Sequence, residues 1–100
     1  MKVTISEDLK ELIPKFLENR DKDILYLKDY IFQKRYLESK NIVHALKGVL
    51  GSYGFKEAYD LSIQIEKALN NKQYQEVNDK IMILEKKMNN VEIEYIDEEF

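Results

Sequence analysis

His44 is the only histidine of this chain, and its three glycines, Gly48, Gly51 and Gly54, all follow it closely. An imidazole suits nucleophilic or proton-transfer chemistry near neutral pH, because an ordinary pKa of about 6.5 leaves most of it as the free base. At about 100° per residue, Ile42, Val43, Leu46, Val49, Leu50 and Tyr53 share one apolar arc of a helix. His44 points away from that arc, and Lys40, Asn41, Lys47, Gly48 and Gly51 share its outward face. The imidazole is therefore expected in solvent, flanked by cations and by residues without side chains.

Each glycine inside a helix costs up to about 1 kcal/mol relative to alanine. Since Gly48 and Gly51 face outward, packing against the chain's own core is not expected to be their reason. They offer clearance, one and two turns beyond the imidazole, for the surface of another molecule. Gly54 suits a left-handed residue that ends the helix.

The surrounding pattern is helical. Ser6 followed by Glu7 and Asp8 is a helix start, predicting a short helix from Glu7 to Ile13. Pro14 then starts or kinks a second helix reaching about Lys34, with Leu17, Ile24, Leu27 and Ile31 in helical register. The His44 helix spans about Tyr36–Ser52. A further helix covers about Lys56–Asn70, with Ala58, Leu61, Ile65, Ala68 and Leu69 inward, and a last one about Gln73–Asn89, with Tyr74, Val77, Ile81, Leu84 and Met88. Four long amphipathic helices with short connections predict an all-α fold, an antiparallel up-and-down four-helix bundle with a short additional N-terminal helix.

One hundred residues build a single domain around one core. The bundle is expected at about 7–90 and an acidic C-terminal tail at 91–100. Val3 and Ile5 alternate with polar residues, as do Val91, Ile93 and Tyr95, so these segments either pair as a short ribbon or fray. With a net charge of −3 and no basic stripe, nucleic acid is not an expected partner. Without cysteine, and with one histidine, neither a thiolate nor an imidazole cluster can hold a metal. No apolar run suits a signal peptide or a membrane span, so the expected location is the cytoplasm. Neither G-x-x-x-x-G-K-[ST] nor G-x-G-x-x-G can be written across residues 48–56, so an ATP site, and with it an independent kinase, is not expected.

His44, Leu46, Lys47 and Gly48 fit H-x-[apolar]-K-G, and Gly54 fits the helix-ending glycine that follows it. The segment resembles the phosphoacceptor helix of histidine-containing phosphotransfer domains, a resemblance extending over about residues 8–90. It implies a phosphoryl carrier rather than an enzyme, with Nε2 of His44 taking a phosphoryl group from a receiver-domain aspartate and returning it. Lys47, and Lys40 from the other side, would balance the phosphoryl charge. Counting along the resemblance makes Glu66 the residue that accepts a hydrogen bond from Nδ1. The implied partners are response-regulator receiver domains and receiver domains of hybrid histidine kinases. They would supply Mg²⁺, leaving this chain without a cofactor of its own.

Three residues depart from the family pattern. Val49 and Leu50 stand where two small residues are usual, and Val43 where glycine or alanine is common. All three fall on or near the inward arc, so they bear on packing more than on the phosphoacceptor. Lys40, Asn41, Gly48 and Gly51 are the expected docking face. Leu25 and Phe32, a heptad apart and off their helix's core stripe, are expected to add an exposed apolar patch beside His44. The alternative is a helical-bundle adaptor that binds protein partners without phosphorylation. A general-base enzyme lacks the convergent polar groups such a site needs.

Overall fold

Three turns of one design space the helices. In a computed structural model describing residues 1–97, strand β1 (Lys2–Ser6) leads through a 3-10 segment (Glu7–Leu12) into α1 (Ile13–Phe32). Helices α2 (Tyr36–Ser52), α3 (Lys56–Asn70) and α4 (Tyr74–Asn89) follow, and strand β2 (Glu92–Ile96) closes the order. Between helices, Lys34, Gly54 and Lys72 take φ of 59°, 79° and 56°. The next amide then reaches back to the preceding helix: Arg35 N–H to Tyr30 at 2.8 Å, Phe55 to Leu50 at 2.9 Å and Gln73 to Ala68 at 2.9 Å. Each is a Schellman turn, which satisfies the last helical carbonyls and reverses the chain in three residues. Only one of the three uses glycine.

The helices bury the stripes that periodicity marks. Leu27, Leu46, Ile65 and Leu84 lie in one core with Ile24, Val43, Leu50, Leu61, Val77 and Ile81, each large aliphatic side chain contributing about 1.5–3 kcal/mol on burial. Helix α2 packs between α1 and α3, and α4 packs against α3 and α1. Phe16 clamps the α2–α3 turn to α1 by stacking on Tyr53 at 4.2 Å and meeting Phe55 at 4.9 Å. Two buried hydroxyls are satisfied within their own helices, Ser39 by the Arg35 carbonyl and Ser62 by that of Ala58.

The chain is thus mostly helical, but the ends add a small sheet. Strands β1 and β2 pair in parallel, from Lys2 opposite Glu92 to Ser6 opposite Ile96. Val3 and Ile5 are buried, while Ile93 and Tyr95 pack on the same core. Apolar alternation on both segments explains the pairing, because each strand has one face to bury. Residues of the expected tail therefore belong to a strand, whereas Glu98, Glu99 and Phe100 lie outside the described residues. The expected short helix is of 3-10 type, with the Ser6 hydroxyl accepting from Asp8 N–H at 3.3 Å, and Pro14 starts α1 rather than kinking it. Among the described residues no helix is long and apolar enough to cross a membrane.

Candidate functional site

Helix α2 turns His44 outward because Val43, Leu46 and Leu50 are nearly wholly buried on its other side. The imidazole side chain is 75% exposed. Among the described residues its hydrogen-bond partner comes from α3: Nδ1 lies 3.4 Å from Oε2 of Glu66. With its proton on Nδ1 the ring donates to that carboxylate, and Nε2 carries a lone pair facing solvent. Glu66 reaches across because it flanks α3's apolar stripe, about 100° from Ile65.

Glu66 serves a second partner. Lys47, one turn beyond His44 on α2, donates from Nζ to Oε1 at 2.9 Å. One carboxylate therefore ties the imidazole and the ammonium together. The Lys47 hydrogen bond, foremost, holds the Glu66 carboxyl below its ordinary value of 4.5; burial opposes this and the His44 contact assists it. Glu66 is accordingly ionised across the neutral range.

The remaining expected residues divide. Lys40 and Asn41 lie on the His44 side of α2, and among the described residues neither side chain makes a hydrogen bond or ion pair. A Cβ on Gly48 would meet nothing within 4 Å, so the clearance expected there exists. Gly51 requires a correction. A Cβ there would lie 3.1 Å from Cδ2 of Tyr59 on α3, so its missing side chain accommodates that ring rather than an incoming molecule. Between them, Lys47, Gly48, Gly51, Lys56 and Tyr59 line much of an open groove of about 580 Å³ that begins about one helical turn beyond His44.

Leu25 and Phe32 are exposed as expected, at 61% and 86%. They are not beside His44. Phe32 lines a hollow with Asn78, Ile81 and Met82, and Leu25 one with Glu85 and Asn89, which places both on the seam between α1 and α4. His44 instead faces outward by the α2–α3 seam, on the other side of the molecule. No family model, curated protein or solved structure matches the chain. An exposed apolar group on the His44 side is a different residue. Leu37, 71% exposed, precedes His44 by a heptad and shares its face. The heptad spacing from Leu37 to His44 was the available sign. Among the described residues no cluster of His, Cys, Asp or Glu could hold a metal ion.

Proposed function

We propose that the protein is a histidine phosphotransfer protein of a two-component phosphorelay, an antiparallel up-and-down four-helix bundle that carries a phosphoryl group on His44. The observation that carries this reading is the contact between His44 Nδ1 and Glu66. The two residues are 22 positions apart on different helices, and the resemblance alone pairs them before any geometry is considered.

Phosphoryl transfer at this site needs little from the chain beyond a placed nucleophile. The Nε2 lone pair attacks the phosphorus of a receiver's aspartyl phosphate, the P–O bond to the aspartate breaks, and the carboxylate leaves with the bonding pair. The ring then carries positive charge with its proton still on Nδ1, where the Glu66 carboxylate balances it, so no proton has to leave. Return to a second receiver is the same step reversed. Lys47, held at the same carboxylate, is within one helical turn of the bound phosphoryl group and can turn toward it. Mg²⁺ comes from the receiver in this reading, the chain itself has no cofactor, and the relay operates in the cytoplasm.

Docking would use the open face around Gly48, with Lys40 and Asn41 on one side and the groove lined by Lys56 and Tyr59 on the other. Leu37 supplies exposed apolar surface there. The test is to mix the purified chain with a receiver domain carrying labelled phosphate. Label should appear on the chain as an acid-labile, base-stable adduct, and His44→Gln should abolish it with unchanged helical circular dichroism. Label retained by that variant overturns the reading. Receiver binding without any labelling would favour the non-phosphorylated adaptor.

A further inference from the structure

The α1–α4 seam carries exposed apolar surface that the His44 site does not use. Phe32, Met82 and Leu25 are 86%, 67% and 61% exposed. Phe32 and Met82 share one hollow on the seam, and Leu25 borders the next. Between the hollows, Lys28 Nζ donates to both carboxylate oxygens of Glu85, at 3.1 and 3.0 Å. That pair is only partly covered, its side chains being 45% and 32% exposed.

We propose that two copies of this chain associate through this seam. The charge pattern singles out a second copy as the occupant. Along the seam Phe32 is level with Ile81 and Met82, Lys28 with Glu85, and Leu25 with Asn89, so α1 and α4 run in opposite directions there. A two-fold axis parallel to the helices brings α1 of one copy opposite α4 of the other without changing any level. Lys28 then meets the partner's Glu85, and Glu85 the partner's Lys28, so each ion pair gains a reciprocal one. At the neighbouring level Phe32 covers the partner's Met82. All four facing helices are antiparallel to their neighbours, which aligns their dipoles favourably.

The size of the face sets the strength. Two helices about 10 Å apart and about 30 Å long present roughly 600 Å² per copy, somewhat below the ~800 Å² of a standard stable interface. The association is therefore weak and reversible. A receiver docked at His44 would approach the opposite side and leave the seam free, so this inference stands or falls separately from the proposed phosphotransfer.

Sedimentation velocity on the full chain, from about 5 to about 500 µM, spans the range of such an equilibrium. The sedimentation coefficient should rise from monomer toward dimer, and Phe32→Glu should raise the dissociation constant at least about tenfold. Met82→Glu, on the opposite bank, should do the same. Lys28→Glu and Glu85→Lys should each remain monomeric alone, yet associate when mixed in equal amounts, because each then presents the charge the other lacks. A wild-type chain that stays monomeric throughout, a dimer indifferent to Phe32→Glu and Met82→Glu, or charge variants that fail to associate on mixing would overturn the proposal.

Discussion

Lys47 Nζ and Glu66 Oε1 are joined at 2.9 Å, so the cation that the proposed function assigns to a phosphoryl group on His44 is already committed to a carboxylate. That carboxylate also lies 3.4 Å from Nδ1 of the imidazole, so in the proposed phosphotransfer Glu66 is the residue that positions the ring.

Removing Glu66 should therefore slow transfer more than it weakens docking. Glu66→Ala is expected to lower the rate of phosphoryl transfer from a receiver about tenfold, the scale of losing a group that orients a functional histidine. Glu66→Gln keeps an oxygen that can accept from Nδ1 and should recover most of the rate. Receiver affinity should be unchanged in both. Equal rates for Glu66→Ala and the parent chain would reduce Glu66 to a surface carboxylate.

The Lys47–Glu66 bridge also sets a pH dependence of stability. The folded chain holds the Glu66 carboxyl below 4.5, chiefly through the Lys47 hydrogen bond. A depressed folded pKa adds stability that is fully present above the unfolded value and disappears as pH falls through the folded one. The melting temperature should thus exceed that of Lys47→Met by a constant margin above about pH 5.5, equivalent to about 1 kcal/mol or less. The margin should close in stronger acid. A margin that widened on acidification would contradict the assignment.

Gly48 and Gly51 should respond differently to alanine. Gly48→Ala adds a methyl group where nothing lies within 4 Å and should stabilise the chain by up to about 1 kcal/mol. Gly51→Ala pushes against the Tyr59 ring, and that crowding should cancel the helix-propensity gain or leave the protein about 1 kcal/mol less stable. Gly48→Gln, melting no lower than the parent, should impair phosphoryl transfer by filling the approach to His44. Urea titrations and transfer assays on the three variants separate clearance from packing.

The turns provide a further contrast. Lys34 and Lys72 occupy left-handed conformations at φ of 59° and 56°, which cost an L-residue about 1–2 kcal/mol. Lys34→Gly and Lys72→Gly should each raise stability by about 0.5–1 kcal/mol, after the extra freedom glycine gains in the unfolded chain. Gly54→Ala should lose about 1 kcal/mol. Chemical denaturation midpoints at constant slope check all three.

The same turns show why some features could be read in the sequence and others could not. The end of α2 at Ser52 and the start of α3 at Lys56 were legible because Gly54 marks the left-handed position directly. Lys34 takes that role with no compositional signal, so the sequence left the end of α1 uncertain. Helical rotation placed His44 in solvent correctly, since that follows from one helix and its buried stripe. It misjudged Gly51 because rotation about α2 carries no information on how far Tyr59 extends from α3. It misplaced Leu25 and Phe32 for a related reason. Lying off the core stripe guarantees exposure but does not choose between the two flanking helices, and the Lys28–Glu85 bridge reveals the choice. Alternation at the ends allowed pairing or fraying without choosing between them, and the parallel direction has no signature in a pattern that reads the same both ways.

The pairing of Val3 with Ile93 has a consequence in time. Their contact closes nearly the whole chain into a loop, and loop-closure entropy must be overcome before such distant segments gain anything by meeting. The helices, joined by local turns, can assemble first and carry the ends to one another, so β1 and β2 join late and separate early. A pair of fluorophores on Lys2 and Glu92 would therefore part while the far-ultraviolet helical signal persists, giving an early report of loosening at the chain's ends.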